Sequence, residues 1–115
     1  MSPTQRSLAW LRRRGCLAES VERYVKTPQG GFRRDLFHFA DIAALEPDRP
    51  GVLFVQACRT DDQATRLAKI RSAKVWPNVE RVLAAGNRVR VMGWQMRGAA
   101  GTRKRYTLSV TEVTT

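Results

Sequence analysis

Apolar and polar positions change their spacing several times along the chain, and each change predicts an element. Over residues 4–14, Leu8 and Leu11 share one helical face, arginines occupy the other, and Gly15 supplies a stop. Over residues 16–26, Leu17, Val21 and Val25 fall on odd positions beside Tyr24, which predicts a strand. The stretch TPQGG (residues 27–31) reads as a turn. Two apolar runs follow, FHFADIAAL (37–45) and VLFVQAC (52–58). Between them EPDRPG, with two prolines and a glycine, forces a reversal, so the runs predict a hairpin.

After Cys58 the period becomes helical. Thr60 and Gln63 have capping-box spacing, Asp61 and Asp62 suit the positive end of a helix, and Ala64, Leu67 and Ala68 form an apolar stripe. WPNVERVLAAG (76–86) predicts a second helix, with Pro77 in its first turn and Gly86 at its exit. RVRVMGWQM and KRYTLSVTEV then read as strands, the second with Tyr106, Leu108 and Val110 facing in. The resulting order, α-β-β-β-α-α-β-β, implies a mixed β-sheet flanked by helices, an α/β fold. Neither a repeat nor a linker interrupts it, so residues 1–115 are read as one domain.

Charge adds a partner to this picture. The chain has 21 Lys and Arg against 10 Asp and Glu, a formal net charge of +11, and 17 of the 21 are arginine. Such an excess repels itself unless a polyanion is near, and guanidinium groups fork onto phosphate oxygens, so DNA is the expected partner. The competing source of an arginine excess is genomic base bias. No basic amphipathic helix with an aromatic face points to a membrane surface, and no apolar run reaches the ~18 residues a transmembrane helix needs. Cys16 and Cys58 stand far apart with a single His in the chain, against a zinc site or a disulfide framework. The first residues lack the basic-then-apolar order of a signal peptide, so a reducing, cytoplasmic location is expected.

The hairpin brings in the chemistry. If residues 46–51 are its turn, Leu45 opposes Val52 and every opposed pair sums to 97, so Asp41 faces Gln56 and Phe39 faces Cys58. Opposed Cβ atoms lie about 4.5–5.5 Å apart, within reach of one shared ion. An acid flanked by Phe39, Ile42 and Leu45 is expensive to bury unless a cation, metal or arginine, pairs with it. Taken singly, the neighbouring groups have plainer readings. Asp35 reads as a loop partner of Arg33 or Arg34, Glu22 as a surface strand charge, Gln56 as a core amide and Cys58 as a small buried filler. His38 reads as packing, a phosphate contact or a general base.

A helix, a strand, an acid near the start of a strand and a hairpin leading to a further strand resemble the PD-(D/E)XK nuclease superfamily, whose fold is restriction-endonuclease-like and whose last strand of this set ends in acid-x-Lys. Within it the layout is similar to the archaeal-type Holliday junction resolvases and short phage-encoded relatives, over about residues 8–85. The resemblance implies Mg²⁺ (or Mn²⁺) bound at Asp41 and Gln56, hydrolysis of a DNA phosphodiester, and a symmetric homodimer. It implies a water-orienting Lys at the position of Cys58. The sequence departs from the signature here, reading Asp41…Gln56-Ala57-Cys58 where the family has Asp…Glu-x-Lys. Asp35 or Glu22 would then supply the missing charge, and Arg59 or Lys69 the missing cation. A second reading follows from the same departure: a binding or inhibitor module of nuclease descent whose metal site has decayed. A third is a protein-interaction domain.

Candidate phosphate contacts are Arg12, Arg13 and Arg14 at the end of the first helix, Arg33 and Arg34 before the acidic pair, Arg59 and Arg66 near the second helix, and Arg103, Lys104 and Arg105 after the flexible RGAAG. Trp76 and Trp94 are either core or stacking platforms for unpaired bases. None of these implies base-specific readout.

Overall fold

In the computed structural model, which describes residues 1–115, a five-stranded mixed sheet lies between one helix and a pair of helices. The first helix, α1 (Pro3–Arg13), starts one residue earlier than expected. Ser2 caps it reciprocally: Gln5 N–H donates to Ser2 Oγ (3.1 Å) and Ser2 N–H to Gln5 Oε1 (2.9 Å). Gly15 then turns the chain out of the helix at φ +84°.

The strand expected over residues 16–26 is broken. Strand β1 (Leu17–Ser20) joins the main sheet, whereas β2 (Arg23–Thr27) pairs with β3 (Gly30–Arg34) in a separate two-stranded hairpin closed by Pro28 and Gln29. The inward parity of β1 is the reverse of that expected. Ala18 is buried in the cluster that contains Leu11 of α1, and Leu17 is exposed. Strand β3 was hidden because Gly-Gly-Phe-Arg-Arg has no apolar alternation, and all five residues are exposed.

The central hairpin forms in the expected register. Strand β4 (Ile42–Leu45) is antiparallel to β5 (Leu53–Arg59), pairing Ile42 with Val55, Ala43 with Phe54 and Ala44 with Leu53. Residues 37–41 do not continue β4, so Phe39 does not oppose Cys58; Phe39 packs in the core beside α3 instead. Strand β6 (Arg88–Arg97) runs parallel to β5, and β7 (Arg105–Val113) returns antiparallel, giving the order β1-β4-β5-β6-β7. Strand β5 is apolar on both faces because both are covered. Leu53 and Val55 meet Leu11 of α1, Met92 and Trp94, while Cys58 joins Ile70, Val79 and Val89 on the opposite side. The buried indole Nε1–H of Trp94 donates to Ser7 Oγ at 2.9 Å and pins α1 to the sheet.

Between β5 and β6 lie a 3₁₀ turn (Thr60–Asp62), α2 (Gln63–Ile70) and α3 (Trp76–Ala84). The Thr60/Gln63 box does not form, because Gln63 reaches across the sheet instead, donating from Nε2 to Ser109 O (3.0 Å) and Thr111 Oγ1 (3.3 Å). Helix α2 therefore turns Gln63, Leu67 and Ile70 inward, and Ala64 and Ala68 are exposed. Tyr106 and Val110 are also exposed, at 41% and 44%, because β7 is an edge strand; of the three residues expected to face in, only Leu108 is partly covered. No helix is long and apolar enough to cross a membrane.

Candidate metal centre

The chain between β3 and β4 closes on itself. Leu36 and Ala40 exchange both backbone hydrogen bonds, each 2.9 Å, around a turn in which Phe37 (φ 54°) and His38 (φ 69°) adopt left-handed backbone. Each such non-glycine residue stores on the order of 1–3 kcal/mol of strain. Asn78 of α3 supports the turn, its Nδ2 donating to Phe37 O at 3.0 Å. Asp35 and Asp41 flank the closed loop and are thereby brought side by side. Glu22 arrives from the break between β1 and β2, where Val21 N–H donates to Asp41 O at 2.8 Å. One carboxylate oxygen from each of Glu22, Asp35 and Asp41 lies within 4.8 Å of the others.

Asp41 is only 4% exposed and has no cationic partner. Its Oδ2 accepts from Ala57 N–H and from Gln56 Nε2, both at 2.8 Å. Burial, a carboxyl–carboxyl hydrogen bond with Asp35 and the charges of Asp35 and Glu22 push its pKa up from 3.8 to about 8, against the pull of the Ala57 N–H. The other two acids have cations at hand: Lys69 Nζ lies 3.3 Å from Asp35 Oδ2, and Arg33 lies 3.8 Å from Glu22. Thr4 at the start of α1 also donates to Glu22 Oε1, at 3.4 Å. Gln56, 2% exposed, leaves its Oε1 buried without a hydrogen-bond partner. The three converging carboxylates are an all-oxygen donor set, suited to a hard cation such as Mg²⁺ or Mn²⁺. Glu22, Asp35, Asp41 and Gln56 all line one cleft of about 330 Å³.

Asp41 and Gln56 thus meet through their side chains, although Asp41 lies outside the paired strand and its N–H donates to Val55 O rather than opposing Gln56. The two supplementary acids, Asp35 and Glu22, come to the same place as Asp41. Glu22 does so from a break between strands rather than from a strand. Asp35 pairs with Lys69 of α2, not with Arg33 or Arg34. Cys58 does not replace a lysine: burial pushes its thiol up to about 11, so it carries no charge at neutral pH. Arg59 and Arg66 line the cleft, Arg59 loosely paired with Asp61 at 3.9 Å. His38 sits with Arg34, Arg66 and Lys74 in an adjoining basic cleft, not in the acidic cluster.

The arginines at the end of α1 are misplaced for this site. Thr4 touches Glu22, whereas Arg13 lies nine residues along the helix, about 13 Å away at 1.5 Å per residue. There Arg12 donates to Ala18 O (2.7 and 3.1 Å), and Arg14 stacks on Trp10, 3.6 Å from its ring centroid. Arg103, Lys104 and Arg105 do lie toward the site end, beyond the C-terminus of β6. Trp94 is core, and Trp76 is half-buried beneath Arg71. Sequence reasoning missed Thr4, Lys74 and a pocket around Arg6 and Tyr106, none of which carries a local motif.

Compared with protein-family models, curated proteins and solved structures, the chain matches none. Its chemistry therefore rests on its own residues.

Proposed function

We propose that the protein is a divalent-metal-dependent nuclease with a restriction-endonuclease-like core, hydrolysing phosphodiester bonds in DNA, with branched DNA the substrate suggested by its resemblance to resolvases. The observation that carries the reading is the convergence of Glu22, Asp35 and Asp41, with Gln56 bonded to Asp41 through Nε2 and its amide oxygen buried without a partner. Within a chain of net charge +11, these acids have no role in attracting a polyanion, and a cation bound among them removes their mutual repulsion.

Asp41, Asp35, Glu22 and Gln56 Oε1 hold the metal in this reading. Bound there, the ion would act as a Lewis acid on the phosphoryl oxygens and lower the pKa of the attacking water. The chain's own groups do the rest. Lys69, anchored on Asp35, places an ammonium at the cluster's edge and takes the role that a lysine at position 58 would have. Arg59 and Arg66 hold the phosphate backbone over the acids. The hydrogen bonds from Ala57 N–H and Gln56 Nε2 fix the Asp41 carboxylate in place as it loses its proton.

The neutral Gln56 and the uncharged Cys58 favour a second reading, in which the same basic surface holds nucleic acid without cutting it. Supercoiled and branched DNA incubated with Mg²⁺ or Mn²⁺ separates the two. Cleavage abolished by Asp41→Ala is expected. Binding without cleavage at any divalent concentration overturns the hydrolytic reading and leaves the second.

A further inference from the structure

We infer that the pocket beside the acidic cluster, walled by Arg6, Trp94, Met96 and Tyr106, is a subsite for an unpaired nucleobase, so that the strand entering on that side is single-stranded. The inference rests on the proposed function for the position of the reacting phosphate, and on separate residues for the base.

The acidic cleft continues in both directions. It shares Asp35 and Arg66 with the basic cleft on one side, and Pro3 and Arg59 with the Arg6 pocket on the other. The two flanks differ in chemistry. On the first, Arg33, Arg34, Arg66, Lys69 and Lys74 face one acid, Asp35, a surface suited to phosphates. On the second, cations are fewer and the apolar side chains of Met1, Pro3, Trp94, Met96 and Tyr106 stand among the polar groups, in a pocket of about 470 Å³, a size in which small ligands are held. Met96 is 49% exposed and Tyr106 41% exposed, both at the site end of the β6–β7 hairpin.

Arg6 makes this surface specific. Its guanidinium carbon sits over the face of Tyr106, 3.2 Å from the ring centroid, and the group forms neither an ion pair nor a side-chain hydrogen bond within the chain. A planar cation held over an aromatic ring is a stacking platform, and its unpaired N–H groups suit base or phosphate oxygens. Bases within a duplex already stack on their neighbours, so only an unpaired base has a face to offer. Phosphate contacts on one flank and stacking on the other define a strand that is single-stranded at least beyond the reacting phosphate.

The test is binding, and it needs no cleavage. Fluorescence anisotropy, with Ca²⁺ in place of Mg²⁺, compares a blunt DNA duplex, the same duplex with a single-stranded tail, and single-stranded DNA and RNA of matched length. Tailed or single-stranded forms are expected to bind at least ~10-fold tighter than the blunt duplex. Arg6→Ala and Tyr106→Leu should each weaken the tailed form about 5- to 100-fold and leave the blunt duplex unchanged, while thermal melts verify folding. A 2-aminopurine placed in the tail should be quenched by the wild type and less so by Arg6→Ala. Equal affinity for tailed and blunt DNA, or an equal loss on both in the variants, overturns the inference. DNA and RNA tails binding alike supports stacking without sugar readout, and RNA alone being bound narrows the class to RNA. A single-strand preference that persists when cleavage is absent upholds the subsite while the nuclease reading fails; no binding to any oligonucleotide overturns both.

Discussion

Replacing Asp41 by Asn tests the electrostatics of the cluster directly. Asn reproduces the protonated acid: its Oδ1 can accept from Ala57 N–H and Gln56 Nε2, and its Nδ2 can donate to Asp35. Burial beside Asp35 raises the pKa of the Asp41 carboxyl to about 8 in the folded chain, against an ordinary 3.8. Between those values the folded chain holds a proton that the unfolded chain has released. Metal-free stability must therefore fall as pH rises through this window, the reverse of an acid stabilised by a salt bridge. Each pH unit is worth at most about 1.36 kcal/mol, so the whole window is on the order of 5 kcal/mol. Relaxation of the site reduces this, and about 2–5 kcal/mol is expected. The assay is urea unfolding in EDTA from pH 5 to pH 9, read as the difference between wild type and Asp41→Asn so that the titration of groups remote from the cluster cancels. The wild type should lose about 2–5 kcal/mol relative to the variant between those limits. At pH 8, Mg²⁺ or Mn²⁺ at a hundred times its dissociation constant should return about 2.7 kcal/mol to the wild type and nothing to Asp41→Asn. A difference that does not change with pH, or a variant stabilised equally by the metal, would refute the shared-proton, shared-cation account.

Other expectations follow from single contacts. Ser7→Ala leaves the Trp94 indole N–H buried without an acceptor and should cost about 1–3 kcal/mol in chemical unfolding, with no effect on metal binding. Gly51→Ala places a methyl at φ +79° against the Gly86 carbonyl, which is backbone and cannot swing away, and should lower stability by about 1–3 kcal/mol in the same measurement. If DNA follows the basic cleft, Arg34→Ala and Lys74→Ala should each reduce the salt slope of binding by about 1, whereas Arg13→Ala, at the opposite end of α1, should leave it unchanged. Titrations of affinity against salt check both halves of that statement.

Much of the site could be read from the order of residues because its centre is local. A short turn and two apolar strands allow one register in which both bury their faces; it ends at the Ile42–Val55 pair, and Asp41, one residue before it, reaches Gln56 through its side chain. Helix α3 was legible for the same reason, from its proline and its glycine stop. Tertiary structure decided everything that depends on contacts between distant segments. Glu22 reaches the acids because the chain leaves the sheet after β1, and Asp35 because a strained turn at Phe37 and His38 folds it back; neither event has a periodic signature. The same holds for Gln63, drawn from its capping box to β7, and for Ala64 and Ala68, which face solvent. The arginines show the limit most clearly. Composition establishes that the chain is basic, but only the packing of α1 across the sheet sends Arg12, Arg13 and Arg14 to one end and Arg6 to the other. Charge belongs to residues, whereas the field at a site belongs to their arrangement.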